Sequence, residues 1–495
     1  MLQTIDYVVI VGYFLIAIGI GVWASRRVRH TGDFLVCGRS LGKFLTTMLS
    51  LGSATNTDQT ISVVAQSYRT GLSGIWFQWI YLFGTATAWL LAPVCRRARV
   101  QTAAEFYRLR YSTAFSVFYA CVGMVILTVT IGTMLIAMGA TIEAVTQGAI
   151  PENVAIGVTS VVFLFYGALG GLVAAVLTDA LQGLLILFLS FAMIPAILGR
   201  VGGFSGLHAT LPPEMFSLAA PTEMTLFVIV VFSVQAVIGT PGGPNVIPGY
   251  SASRNEMDAR VGVVAGSLIK RACTLAWAII GIGTLALFQD QVSPDEADKA
   301  FGFAVAALLP PGLLGLMVAA MFAAVMSTCD ATMVFASGLF TKDILPHLAG
   351  RRTFSEKTQL AVSRVASVFV VIAGFYAAYL IPNIRAGFIY LWQITLFACF
   401  PFWCGVVWKR GTSLGAWASV VGTFLVWLAL ELTLKKRIPA EYTFKAVEFL
   451  ICLPAGFILF VLFSFLGRPE NEDKLRQFYR RLNAPVGTDE ELDRL

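Results

Sequence analysis

The sequence predicts an all-α polytopic membrane protein, and three observations carry that prediction. Hydrophobic residues make up 57% of the 495-residue chain and charged residues only 13%, a balance too apolar for a soluble globular domain. The apolar residues gather into runs of about 20, the length a helix needs to cross a bilayer. The basic loops "RRVRH", "RRARVQTAAEFYRLR", "SRNEMDAR", "AGRRTFSEK", "KRG" and the tail "KLRQFYRR" all fall on one side of those runs, which the positive-inside rule makes cytoplasmic. A multi-pass protein of the cytoplasmic membrane follows, with its N-terminus outside and its C-terminus inside.

On this scale the chain holds about thirteen spans. They lie near 5 to 25, 44 to 68, 72 to 95, 113 to 140, 153 to 169, 171 to 200, 223 to 249, 260 to 288, 311 to 340, 361 to 382, 386 to 408, 413 to 433 and 444 to 467. The opposite loops are nearly free of Lys and Arg except "LKKRIPAEY" near Lys435 to Tyr442, which argues against the last two boundaries. The first run has no basic segment before it and no clear cleavage site, so it reads as a retained span rather than a removed signal. The net charge of +7 is explained by topology, so the lipid bilayer is the implied partner and no nucleic acid is required. Eight cysteines sit in or beside apolar runs without metal-ligand spacing, so neither a disulfide framework nor a zinc site is indicated.

Two spans are interrupted. The second contains "SLGSATNTDQTIS", Ser50 to Ser62, and the seventh "GTPGGPNVIPG", Gly239 to Gly249. Glycine, proline and polar residues at that density break the helical hydrogen-bond ladder, and freed backbone groups at membrane depth persist only against protein or a wet cavity. The breaks lie five spans apart, the pattern of an inverted five-helix repeat whose first and sixth core helices are discontinuous around a midplane site. The expected division is an accessory helix and loop over 1–40, a first repeat over 41–205, a second over 215–410, two accessory helices over 411–467 and a cytoplasmic tail over 468–495.

Chemistry concentrates in two further places. In "MFAAVMSTCDATM", Met321 to Met333, a helix sets Ala324, Ser327 and Thr328 on one face at i, i+3 and i+4. One carbonyl and two hydroxyls are hard neutral donors, suited to an alkali cation rather than a transition metal; the bland alternative is that such residues bond neighbouring helices or their own backbone. Asp330 shifts the balance, because a carboxylate inside the membrane marks a functional site by default. In "GGLVAAVLTDALQGLL", Gly170 to Leu185, Asp179 and Gln182 share a face; the alternative is an acid that caps or snorkels at the cytoplasmic end.

"GGLVAAVLTDALQGLL" resembles the G-G-x-x-A-x-x-x-T-D-x-x-Q signature of the sodium:solute symporter family, and "AAVMSTCDATMVFASGLFTKDI" resembles its A-x-x-S-[ST] helix ending in F-T-x-D-I. "DFLVCGRSLG" is similar to the loop after that family's first span and "SASRNEMDAR" to the one after its broken seventh. The resemblance runs from about Asp6 to about Leu466. It implies a LeuT-like core in which one Na+, the coupling ion, is held by the carbonyls of Gly52, Thr55 and Ala324 and the hydroxyls of Ser327 and Thr328. In some members a second sodium site uses the acid at 179 with hydroxyls a turn below the first site, where this chain has Asp330 and Ala331. That departure implies a second cation or a shared proton at Asp179 and Asp330.

For the solute, the resemblance places Gln59 and Gln78 where sugar-carrying members have a Gln and a Glu, and Lys270 where they have a Lys. Asn245, with Gly243 and Pro244, replaces their Asn and aromatic gate, and Trp76, Trp79 and Trp392 with Gln393 offer further lining; single aromatics also serve as interfacial anchors and Lys270 as a positive-inside anchor. The expected function is sodium-coupled import, by alternating access, of a small polar organic solute that is sugar-like, amino-acid-like or a carboxylate. Proton coupling through Asp179 and Asp330 is the alternative mechanism. A sensor with a symporter-like domain is the alternative class, against which the short tail speaks. Enzymatic chemistry is not indicated, since His30, His208 and His347 fall in separate loops.

Overall fold

The computed structural model describes residues 2–25, 30–221, 223–350 and 354–489. Among them the only extended pairing is one isolated bridge, Leu41 to Ser253; all else is helix and connection. A first helix, α1 (Thr4–Ser25), precedes the broken first core helix, α2 (Lys43–Ala54) and α3 (Thr57–Thr70). A path of short turns leads to α4 (Gly84–Ala98), followed by α5 (Thr113–Val145), α6 (Glu152–Phe191) and α7 (Met193–Val201). The second half opens with α8 (Leu226–Gly239) and α9 (Val246–Ser251), which flank the second break, then α10 (Glu256–Phe288), α11 (Leu313–Gly338), α12 (Glu356–Leu380) and α13 (Ile384–Val407). Helices α14 (Ser413–Thr433) and α15 (Glu441–Leu466) pair with each other, and α16 (Glu472–Asn483) is the last helix among the described residues.

Contacts sort the helix ends into two faces. On one, Arg96 Nε donates to Ser253 O at 2.9 Å, Arg97 forms an ion pair with Glu256 at 2.8 Å, and Arg110 Nε donates to Gly405 O at 3.0 Å. Arginine suits this role because its planar fork satisfies several helix-end carbonyls at once. On the other face, Lys299 meets Glu143 at 3.2 Å, Arg69 meets Asp298 at 3.4 Å and Tyr68 Oη donates to Phe288 O at 3.4 Å, so the ends of α3, α5 and α10 converge there. The start of α1 joins that face through Asp6, which accepts from Gly312 N and Gly315 N, both at 2.7 Å.

Among the described residues ten helices are long and apolar enough to cross a membrane, against about thirteen expected. The expected span 72 to 95 is a path of short turns followed by α4, and a further difference lies in α6. No break separates 169 from 171: α6 runs for 40 residues through Gly170. At about 1.5 Å per residue that is about 60 Å, twice the hydrocarbon thickness. Apolar residues on both sides of Gly170 carry no loop chemistry, and the expected span 153 to 169 and most of 171 to 200 join in this one helix. The loop residues 26–29 and 351–353, counted above among the basic loops, lie outside the described residues, as do the tail residues 490–495.

Helix α11 is the central element, its residues from Met317 to Gly338 buried between α1, α2, α5, α6 and α12. A helix enclosed on all sides exposes none of its hydroxyls to lipid, which makes its polar face available for interior chemistry.

Candidate cation and solute sites

The break in the first core helix comes at Thr55 and Asn56, whose backbones are extended (φ −129°, ψ 92° and φ −113°, ψ 166°). It releases carbonyls of the last turn of α2 from the helical ladder, and α11 supplies their partner. Thr328 Oγ1 lies 2.8 Å from Gly52 O, 2.8 Å from Asn56 Oδ1 and 3.5 Å from Ala324 O. From the adjacent position, Ser327 Oγ donates to Asp179 Oδ1 of α6. A side chain at position 52 would collide with Ser327 Oγ and stand 3.0 Å from Asp179 Cγ, so glycine is what lets three helices meet there. Ala324, Ser327 and Thr328 are buried, as are Gly52, Thr55 and Asp179.

The donor set is oxygen throughout. Among the described residues no cluster of three His, Cys, Asp or Glu side chains forms a transition-metal site. Thr55 Oγ1, Asp179 Oδ2 and Gln182 Oε1 are buried without a hydrogen-bond partner, and buried acceptors left without donors are what a cation satisfies. Gln182 Nε2 meanwhile donates to Tyr13 Oη at 3.1 Å, tying α6 to α1. Asp330 follows on the same helix, 7% exposed and within electrostatic reach of Asp179.

A cavity of about 340 Å³ adjoins this cluster. Gln59, Gln78, Asn245 and Lys270 line it, together with Thr46, Ser50 and Ser53 of α2, Tyr250 of α9, Arg271 of α10 and Trp392 of α13. Gln59 Oε1 and both side-chain polar atoms of Gln78 are buried and unpaired. The cavity reaches toward the face carrying the Arg97–Glu256 pair, since Thr46 and Tyr250 stand near the Leu41–Ser253 bridge. Its other end is closed by an aromatic layer: Phe77 packs on Phe388 and Trp392 with ring centroids at 5.2 and 5.4 Å, and Trp392 Nε1 donates to Tyr81 Oη at 2.7 Å.

Not every residue expected at these sites is there. Gln393 points away from the cavity, donating to Glu448 of α15 at 3.1 Å beside the Lys445–Glu448 pair. Trp392 faces the cavity, and Gln393, about 100° further round the helix, is turned toward Glu448. Trp76 and Trp79 are likewise absent from the lining; their indole N–H groups bond Leu218 O and Arg271 O. Two residues were missed. Asn56 sits inside the quoted polar stretch, one position beyond Thr55, and its amide is the signal. Arg271 is masked by Lys270, because adjacent basic residues read as a topology anchor.

Residues 34–422 match the family model described as the sodium:solute symporter family. The chain belongs to that family. It is 26% identical over 470 residues to the sodium/glucose cotransporter 4 of Danio rerio, covering 85% of this chain and 71% of that protein. It is 24% identical over 446 residues to the sodium/pantothenate symporter of Escherichia coli (strain K12), covering 83% and 87%. In fold it is similar to a Na+-coupled sialic acid symporter solved in a substrate-bound outward-open state, with a TM-score of 0.79, 18% identity and coverage of 95% and 99%. A nucleobase-cation-symport transporter, Mhp1, superposes with a TM-score of 0.60 at 12% identity, covering 93% and 98%. The family's activity is therefore this chain's: sodium-coupled symport of a small solute across a membrane, on an inverted five-helix repeat core, with Na+ as the coupling ion.

Proposed function

We propose that the coupling Na+ is held at the meeting of α2, α6 and α11, by the carbonyls of Gly52, Thr55 and Ala324 and the hydroxyls of Ser327 and Thr328, and that the solute occupies the adjoining cavity against Gln59, Gln78, Asn245 and Lys270. The observation that carries this reading is the convergence of Thr328 Oγ1 on Gly52 O and Ala324 O across the helix break. A cation there draws α2 toward α11, and α2 also forms one wall of the cavity, so ion and solute act on the same wall. One positive charge moving through about 100 mV releases about 2.3 kcal/mol, and a tenfold sodium gradient adds about 1.4 kcal/mol.

The face rich in arginine is cytoplasmic, which puts the N-terminus outside and the C-terminus inside the cytoplasmic membrane. On that reading the cavity opens inward and the two repeats, 41–205 and 215–410, rock about it, with 1–40 and 411–467 accessory. Asp179 and Asp330 act as one cation-responsive pair, since two neighbouring buried acids need a second cation or a shared proton. The relatives are named for glucose and pantothenate; a small polar organic solute is common to both. The test is sodium-dependent stabilisation of the purified protein: NaCl raises the melting temperature over KCl in the wild type and not in the Ser327→Ala/Thr328→Ala variant. A sodium shift preserved in that variant places the ion elsewhere.

A further inference from the structure

The solute cavity holds more basic than acidic side chains. Lys270 and Arg271 both line it, 5% and 7% exposed, on consecutive positions of α10. Asp58 is the carboxylate within electrostatic reach of Lys270; it does not line the cavity, and its Oδ1 accepts from Gln59 N at 2.9 Å. Among the described residues no carboxylate pairs with Arg271. Its guanidinium donates to Gln78 O, while Nε is buried without a partner. Arginine stays protonated at any accessible pH, so this charge is permanent, and a permanent charge enclosed by protein at membrane depth demands a counter-charge.

We propose that the transported solute bears a carboxylate, received by Arg271 with Lys270 beside it, while the unpaired amides of Gln59 and Gln78 bond its hydroxyl or amide groups. The inference deepens the cavity assignment above and rests on it. Planar carboxylate and planar guanidinium match in a two-point contact, and the buried amides reject solutes that leave them unpaired. The resemblance to sugar carriers places a Glu at position 78; here the residue is Gln, which brings no negative charge to the cavity. The apolar wall of Leu391, Trp392 and Phe388 fits the carbon skeleton of such a solute. A consequence concerns coupling. A monocarboxylate moving with one sodium carries no net charge, so a tenfold sodium gradient alone concentrates it about tenfold.

The test is thermal unfolding of the purified full-length protein, in NaCl and in KCl, with matched probes: pantothenate and panthenol, gluconate and glucose, lactate and propane-1,2-diol, N-acetylneuraminate and its methyl ester. The expected result in NaCl is stabilisation by at least one carboxylate and not by its neutral counterpart. Arg271→Gln should weaken that carboxylate about tenfold to a hundredfold, while the sodium shift without solute persists. Arg271→Lys should fall between, keeping the charge and losing the two-point contact; it and Lys270→Gln carry the test if Arg271→Gln does not unfold cooperatively. A neutral probe that stabilises as well as its carboxylate, no shift with any carboxylate, or equal affinities in wild type and variants would overturn the proposal. Loss of the NaCl-over-KCl shift in the wild type would strike the sodium-site assignment instead.

Discussion

The two polar regions of the core, which adjoin along the broken first core helix, solve the problem of buried polarity in different ways. At the first, the hydroxyls of Ser327 and Thr328 find acceptors on two other helices, Asp179 of α6 and Gly52 O of α2. At the second, Gln59 Oε1, both polar atoms of the Gln78 amide and the Nε of Arg271 find none. The first cluster is tied across three helices and leaves side-chain oxygens unpaired, Thr55 Oγ1 and Asp179 Oδ2 among them, so it offers ligands to one small ion and can report its arrival by a shift of the helices that carry it. Unpaired groups around about 340 Å³ of space are costly, by about 1 to 3 kcal/mol each, and that cost is recovered when a polar solute binds. On the proposed assignment, the first region sets coupling and the second sets specificity.

The strongest way to break this division is to remove both hydroxyls of α11. Ser327→Ala/Thr328→Ala should raise the sodium concentration for half-maximal uptake by about a hundredfold, with solute affinity at saturating sodium much less changed. Equal damage to both in proteoliposome uptake would merge the two regions into one. The acid pair comes next. Asp179→Asn should lower accumulation driven by a 100 mV potential by up to about fiftyfold, the loss of one transported charge, at undiminished expression. Asp330→Ser, which installs the residue type of the resembled family, should fold normally and change the charge moved per solute, read as the ratio of current to radiolabel flux. An unchanged ratio in both variants would separate the two acids.

On the solute side, Gln59→Ala and Gln78→Ala should each weaken solute binding about tenfold and leave sodium binding in the absence of solute intact. Isothermal titration with sodium alone checks the second half of that statement. Parallel losses would assign the amides to the ion shell or to folding.

How much of this division the sequence reveals depends on the kind of signal. The breaks at Ser50–Ser62 and Gly239–Gly249 are visible because glycine, proline and amides inside an apolar run have few alternative readings. The i, i+3, i+4 face of Ala324, Ser327 and Thr328 is visible because helical geometry fixes it. The continuity of α6 through Gly170 is not, since Gly170 and its apolar neighbours carry no signal that separates a junction from a helix running on. Nor is the partner of Gln393: Glu448 lies 55 positions away on an accessory helix, and only packing brings them together. The basic loop at Lys435, which argued against the last two spans, stands between two formed helices, α14 and α15, with Lys435 paired to Glu431 at 2.9 Å.

The smallest expected effect tests the contrast between the cavity's two ends. Toward the arginine-rich face the cavity extends past Thr46, while at the other end a polar latch lies beyond the aromatic layer. Gln66 of α3 donates to Glu223 at 2.5 Å and accepts from Tyr442 Oη at 3.3 Å; Arg385 at the start of α13 reaches Glu223 at 3.9 Å and Glu441 at 3.2 Å. The latch thus joins the broken core helix to α13 and α15, which must part if that end is to open. Glu223 and Arg385 are about one-third exposed, so water screens them and each bond is worth about 1 kcal/mol. Glu223→Gln should shift the balance toward opening at that end by about fivefold. A cysteine at Leu391, behind the aromatic layer, reports the shift, because seven of the eight native cysteines are buried. Its labelling by an impermeant maleimide from outside should accelerate by that factor; an unchanged rate would leave Phe77, Phe388 and Trp392 as the barrier that holds this end shut.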